Sequence, residues 1–269
     1  MSGPLPRGPK FPLRLDQLKP ASKRFTTAPD AGPRVPAAKT RSLPQPSGLG
    51  LDSADVRRSM VQRLRSAGQQ STAVLDAMAA VPRHQFVDAA LVTQAYEDTS
   101  LPIGHGQTIS KPSVVARMIE MLLGGANARG SGSLGKVLEI GTGCGYQAAV
   151  LSLLAQSVIS VERLKPLHDK ARELLAPMRS AKLRLVYGDG MFGHPPNAPY
   201  DSIIAAAGGD MLPDAWLEQL AVGGRLVSPV RQPATGQQML VVVDRTERGL
   251  EHRVHEAVKF VPLKSGLIA

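Results

Sequence analysis

From residue 136 onward the chain alternates short apolar runs with amphipathic stretches, and this alternation restricts the fold more than any other feature. Lys136–Ile140 predicts a buried strand and Tyr146–Leu154 a helix. The pattern repeats as a strand over 158–161, a helix over 164–178, and strands over 183–186 and 202–206. A helix over 213–221 then precedes strands at 225–230, 239–243 and 254–261. Repeated β–α units predict an α/β fold, a doubly wound and mostly parallel sheet with helices on both faces. Ligands of such sheets bind beyond the carboxyl ends of the strands, where the strand order reverses. Upstream, Val56, Met60, Val61 and Leu64, then Val74, Leu75 and Met78, recur at helical spacing with Gly68 between them. A helix is also expected over 113–123, with Pro112 in its first turn and Ser110 just before its start. The intervening AYEDTSLPIGHGQTISKP is rich in turn residues and is read as irregular.

The first 50 residues differ from the rest. They hold ten of the 22 prolines, and nine Lys or Arg against two Asp, so they carry +7 of the net +10. With little apolar surface to offset the entropy of ordering, this stretch is expected to be a disordered tail. The remainder balances 23 basic against 20 acidic residues. A folded body so nearly neutral weakens the argument for one built around a phosphate backbone, and no specific nucleic-acid partner is expected. No apolar run approaches the roughly 20 residues that span a bilayer, and the N-terminus lacks a secretory apolar segment. A single cysteine, Cys144, excludes an internal disulfide and a cysteine-rich metal site. A cytoplasmic monomer without membrane attachment is expected. The organisation read here is tail 1–50 and one domain 51–269, divided into helices and a loop (51–130) and the α/β core with C-terminal strands (131–269).

The most informative segment is Glu139-Ile140-Gly141-Thr142-Gly143-Cys144-Gly145, directly after the first strand of the alternation. Glycine at every second position lets the backbone take otherwise strained angles and approach a ligand closely. A strand-to-helix turn can use glycine for structure alone, so the loop by itself decides little. A dinucleotide fingerprint would place its third glycine one residue later, and a phosphate loop would need Gly-Lys-Ser/Thr. Pyrophosphate binding therefore loses ground. Glu162 ends the second strand, where a carboxylate can accept from both hydroxyls of a ribose. Asp189, in YGDG, follows the third strand, near where an adenine edge would lie. Singly, each is a common solvated strand-end carboxylate; together they outline a nucleoside pocket without a pyrophosphate cradle, which suggests S-adenosylmethionine.

VLEIGTGCGYQAAVL resembles the first motif of class I (Rossmann-like) S-adenosylmethionine-dependent methyltransferases. VPRHQFV, PIGHGQTIS, GDG, APYDSII, LEQLAVGGRLVSPV and FVPL follow the order found in protein-L-isoaspartate O-methyltransferases, over about 56 to 263. PIGHGQTIS is the most specific part, because it lies outside the general cofactor pattern. The resemblance implies methyl transfer from S-adenosyl-L-methionine, without a metal, to the free carboxylate of L-isoaspartyl residues in damaged proteins and peptides. It implies cofactor contacts from Glu139, Gly141, Thr142, Gly143, Gly145, Glu162, Asp189 and Gly190. Ser110 and Thr108 fall on the family's active-site loop, with Ser110 in the catalytic position, and His105, Val261, Pro262 and Leu263 fall where the substrate is held. The chain departs from the family pattern at Gly208-Gly209-Asp210, at Arg231-Gln232 and at Lys264, all on the rim of the cleft.

Other roles compete for some of these residues. Ser110 also stands where a helix N-cap is expected, and a lone loop histidine such as His105 is commonly structural or solvated. Cys144 lacks a basic partner and reads as a packed small residue, Trp216 as a core anchor. His252 and His255 have no third ligand nearby. The alternatives are a class I methyltransferase acting on RNA or a small molecule, and a binding scaffold that has lost catalysis. Against the first, Ala205-Ala206-Ala207-Gly208 stands where base methyltransferases carry Asn/Asp-Pro-Pro-aromatic; against the second, QTIS and GTGCG are intact.

Overall fold

The computed structural model describes residues 54–269. The stretch expected to be disordered, 1–50, lies outside the described residues. Helices α1 (Ala54–Ser66) and α2 (Thr72–Ala80) form where the apolar spacing places them, burying Met60 and Leu64, then Val74, Leu75 and Met78. Gly68 separates them at φ 103°, a value that costs other residues strain. Ser71 caps α2 by accepting from the Val74 N–H.

The segment read as irregular contains a two-stranded hairpin, β1 (Leu101–Gly104) and β2 (Gln107–Ile109). Its strands are only four and three residues long, too short for alternation to stand out. Gly104 pairs with Gln107 across a two-residue turn in which His105 (φ 54°) and Gly106 (φ 69°) both lie at positive φ. Type I′ hairpin turns need that sign at both positions. Helix α3 (Pro112–Leu123) follows, then a short α4 (Ala126–Ser131) that the glycine-rich surroundings conceal.

The core begins with β3 (Lys136–Ile140), α5 (Tyr146–Leu154) and β4 (Ser157–Glu162). Helix α6 (Lys165–Leu175), β5 (Leu183–Tyr187), β6 (Tyr200–Ala205) and α7 (Asp214–Glu218) come next. Strands β7 (Leu220–Arg231), β8 (Gln238–Thr246) and β9 (Gly249–Val258) complete it. Two expected helices are shorter than read. Pro177 turns the end of the first into a separate 3-10 turn, Ala176–Met178. The second yields to β7, which already starts at Leu220.

The seven strands lie in the order β5-β4-β3-β6-β7-β8-β9. β3 to β7 are parallel, and β8 and β9 return antiparallel as a meander. The order reverses between β3 and β6, which places the expected ligand crevice beyond Ile140 and Ala205. Alternate residues of each strand feed separate cores. Val137 and Val158 join residues of α1, α2, α3, α5 and α6 on one face. Leu138, Ile140, Ile159 and Val161 meet Tyr200, Trp216 and Leu220 on the other. Trp216 is an anchor, wholly buried, with its indole N–H donating to the Gly190 carbonyl at 2.7 Å. The doubly wound α/β expectation holds, with one face covered thinly: among the described residues the five-residue α7 and 3-10 turns at Gly190–Phe192 and Pro195–Asn197 lie there.

Candidate active site

A cavity of about 210 Å³ opens at the switch point. Its wall includes Gly141, Thr142 and Gly143 from the loop after β3, Val161 and Glu162 from the end of β4, and Gly190. The three loop glycines take φ of 89°, 56° and 91° at Gly141, Gly143 and Gly145, so the spacing reflects backbone geometry. Close packing also excludes a side chain at Gly145 and, after β5, at Gly190. A Cβ on Gly145 would come 2.7 Å from the Leu175 side chain, and one on Gly190 would come 2.6 Å from Ile140. The loop is also hung from Glu162. That carboxylate, 5% exposed, accepts from Gly143 N–H at 2.9 Å and from Leu164 N–H at 2.9 Å.

Glu139 does not stand on the cavity wall. It is wholly buried beneath the loop, accepting from Gln147 Nε2 at 3.0 Å and from Ser160 Oγ at 2.5 Å. The Thr142 hydroxyl lies 2.6 Å from Ser160 Oγ and joins the same network. Burial pushes the Glu139 carboxyl up to about 8, against the pull of the Ser160 and Gln147 hydrogen bonds. Glu139 thus shapes the loop from behind.

Asp189 also sits apart from the wall, although Gly190 is on it. Its carboxylate accepts from Met191 N–H at 2.9 Å and reaches the C-terminal segment, accepting from Ser265 Oγ at 2.9 Å and Gly266 N–H at 2.6 Å. Partial burial works against its ionisation, but the N–H groups of Gly266 and Met191 and the Ser265 hydroxyl prevail. They hold it below the usual carboxylate range. The segment it holds does line the cavity, through Val261, Pro262, Leu263, Lys264 and Ile268. Ile268 is tied to the end of β4 by Lys165 N–H and the Arg163 carbonyl, at 2.8 and 3.0 Å. Sequence reasoning missed these terminal contacts with Arg163, Leu164 and Ile268, because nothing in a short irregular tail marks its docking point.

On the opposite wall stands the hairpin. Ile103, His105, Gln107, Thr108 and Ser110 all face the cavity. Beyond them lies an open groove of about 1260 Å³ between α3 and the ends of β7, β8 and β9. Thr108, Ser110, Ala206 and Val261 line both spaces, so the two hydroxyls stand at the passage between them. Neither hydroxyl has a hydrogen-bond partner among the described residues. Ser110 is not the helix cap. Lys111 occupies that position, and α3 is capped from upstream by Asp98, which accepts from the Ser113 N–H and hydroxyl at 2.8 Å each.

Several departures on the rim touch the C-terminal segment or one another. Gly208 exchanges backbone hydrogen bonds with Val261 and Leu263, each 2.9 Å, and a side chain there would meet the Gln238 amide. Asp210 pairs with Arg231 at 3.0 Å, so two of the unusual positions contact each other. Cys144 is buried and free, with burial pushing its thiol up to about 11, which suits a packing role. Among the described residues no cluster of three potential metal ligands occurs, and no helix is long and apolar enough to cross a membrane.

Comparison with known proteins bears on this geometry. A family model for protein-L-isoaspartate(D-aspartate) O-methyltransferase matches residues 55–267. A protein-L-isoaspartate O-methyltransferase of Methylibium petroleiphilum is 60% identical over 263 residues, covering 96% of each chain. One of Leptothrix cholodnii is 57% identical, covering 97% of this chain and 95% of its own. A solved protein-L-isoaspartate O-methyltransferase superposes with TM-score 0.69 at 27% identity, over 78% of this chain and 67% of that one. A Plasmodium falciparum structure described as a complex with S-adenosyl-L-homocysteine shares the fold, with TM-score 0.66 at 22% identity over 77% of this chain and 98% of its own. The chain belongs to the protein-L-isoaspartate(D-aspartate) O-methyltransferase family.

Proposed function

We propose that the chain transfers a methyl group from S-adenosyl-L-methionine to the free carboxylate of L-isoaspartyl residues in damaged proteins and peptides, starting their repair. The observation that carries the residue-level reading is the position of Thr108 and Ser110, two unengaged hydroxyls between a smaller cavity and a larger groove. The smaller cavity fits a nucleoside. Gly141, Thr142 and Gly143 bring backbone to its wall, Gly190 has no room for a side chain, and Glu162 presents a carboxylate beside it. Gly141, Thr142 and Gly143 would hold the methionine and ribose side, Glu162 the ribose hydroxyls, and Gly190 the adenine. When bound, the cofactor supplies an electrophilic methyl carbon on a sulfonium.

The remaining work belongs to the chain. A substrate carboxylate, with a pKa of about 4 or below, is already ionised at neutral pH, so no general base is required. The four residues shared by cavity and groove include none: they are Thr108, Ser110, Ala206 and Val261. Neutral hydroxyl donors orient an anion without quenching its nucleophilicity as a tight cation would. The apolar Ala206 and Val261 exclude water, which otherwise favours separated anion and cation over neutral ester and thioether. His105, Pro262 and Leu263 complete the wall around the reacting groups. The neighbouring backbone nitrogen then attacks the carbonyl of the methyl ester, expelling methanol with its own proton, to give a succinimide whose hydrolysis returns some normal aspartate. The chain is proposed to act as a monomer in the cytoplasm without a nucleic-acid partner.

Transfer of labelled methyl groups to matched peptides containing L-isoaspartate, L-aspartate or D-aspartate tests the proposal. Strong labelling of the L-isoaspartyl peptide is expected. Equal labelling of the L-aspartyl peptide, or labelling of RNA instead, would defeat it.

A further inference from the structure

The groove outside the hydroxyl passage is unusually basic for this domain. Lys111, Arg117, Arg231 and Lys259 line it against the single acid Glu256, a net +3. The whole chain from residue 51 carries no more than that, with 23 basic and 20 acidic residues. Two of the four cations are spoken for. Arg117 pairs with Glu256 at 2.9 Å and Glu120 at 3.7 Å, and Lys111 lies 3.8 Å from Asp98. Lys259 is exposed and has no ion-pair partner among the described residues. Among the described residues Arg231 has Asp210 alone, whose side chain is 86% exposed and so binds weakly.

These two cations lie at the same end of the sheet, with β8 between them. Arg231 pairs with Gln238 across β7 and β8, and Gln238 pairs with Val258 across β8 and β9, next to Lys259. Gln238 fixes the end of this row by accepting from the Phe260 N–H at 2.6 Å. Phe260 leads directly into Val261 at the passage. Ser110, Arg231 and Lys259 line the same groove, so a peptide that lies along it from Ser110 toward Val261 would carry its flanking residues past both cations.

We infer that Arg231 and Lys259 form a specificity rim that selects isoaspartyl sites flanked by acidic residues. The inference rests on the isoaspartyl-substrate reading and deepens it. A flanking Glu or Asp gains an exposed ion pair at the rim, and a flanking Lys or Arg meets like charge. Each exposed contact is worth about 1.4- to 5-fold in binding. Discrimination should therefore lie in KM, and salt should screen it.

The test compares three isoaspartyl peptides, flanked on both sides by Glu, by Ala or by Lys, using the full chain. A preference of about fivefold or more in kcat/KM for Glu over Lys is expected at low salt, contracting toward unity at high salt. Within the Arg231→Gln/Lys259→Gln protein the same ratio is expected to collapse, whatever its absolute rate, with cofactor binding reporting that it has folded. Equal or reversed preference in the unaltered protein overturns the inference. So does a preference that survives in the double variant, because it then originates elsewhere, for instance in the basic residues before position 50. Failure to methylate even the Ala-flanked peptide would strike the underlying substrate reading, which separates the two outcomes.

Discussion

Replacing Glu162 by alanine should weaken cofactor binding and loosen the glycine loop together, and the structure says by how much. The carboxylate is 5% exposed and already holds two backbone donors, Gly143 N–H and Leu164 N–H, both at 2.9 Å. Its remaining lone pairs are those a ribose would engage. Hydrogen bonds to a charged group contribute about 1.5–3 kcal/mol, so losing the ribose contacts alone should raise the dissociation constant about 10- to 150-fold. Leu164 is buried, and leaving its donor unmet costs a further ~1–3 kcal/mol of folding stability. The cofactor-free variant should therefore also melt earlier. Titration calorimetry with S-adenosylhomocysteine, beside thermal denaturation of the free protein, reads both quantities. A folded variant that melts early yet binds with unchanged affinity would falsify the ribose assignment and leave Glu162 a brace for the loop. Unchanged melting with weakened binding would instead refute the bracing role.

Ser110→Ala should lose about 2–4 kcal/mol in kcat/KM for isoaspartyl peptide while cofactor affinity and melting temperature stay put, because Asp98 and not Ser110 caps α3. Early melting with normal turnover would restore the capping role. Asp189→Asn should weaken cofactor binding about 2- to 10-fold through release of the Ser265–Gly266 segment; an unchanged dissociation constant would show that this segment does not close the cavity. Since the folded Asp189 carboxyl is depressed, its contribution to stability is present above its unfolded value near 4 and is lost as pH falls through the lower folded value. Glu139 has the opposite sign: its proton leaves the unfolded chain near 4.5 but the folded one only at about 8, so stability falls as pH rises through that window. Glu139→Gln should flatten the melting curve between pH 5 and 8, and parallel curves for the two proteins would sink this reasoning.

The sheet was legible because β3, β4 and β6 are buried on both faces. Runs such as KVLEI and YDSIIA then have only one reading between glycine and proline punctuation. The meander was harder to bound. β9 exposes most of its residues, so Gly249 to Arg253 carry no apolar alternation, and only the pairing with β8 reveals that they are strand. The hairpin was lost for a related reason. Its inward residues, Leu101, Ile103 and Ile109, are spread over two very short strands, and the turn residues between them dominate any window.

The site divides along the same line, between what neighbours in sequence decide and what distant residues decide. The glycine loop and Glu162 were readable because strand, turn and helix follow one another without interruption, so spacing alone sets their positions. Glu139 and Asp189 have equally suggestive places in the sequence, at the ends of β3 and β5. Their partners, however, are Ser160 and Gln147 in one case and Ser265 and Gly266 in the other, up to 77 residues away. Spacing cannot tell whether a strand-end carboxylate turns into the cavity or is claimed by such a neighbour. The cap of α3 makes the same point. Ser110 sits at a capping distance in sequence, but an aspartate 15 residues before Ser113 takes the role. Arg231 and Asp210 carry it to the substrate rim: as isolated departures from a family pattern they are uninterpretable, and as an ion pair beside Gln238 they describe one surface. Residues whose roles depend on such long-range pairing are the ones through which the proposed substrate preference would be tuned, since they can change without disturbing the glycine loop proposed to hold the cofactor.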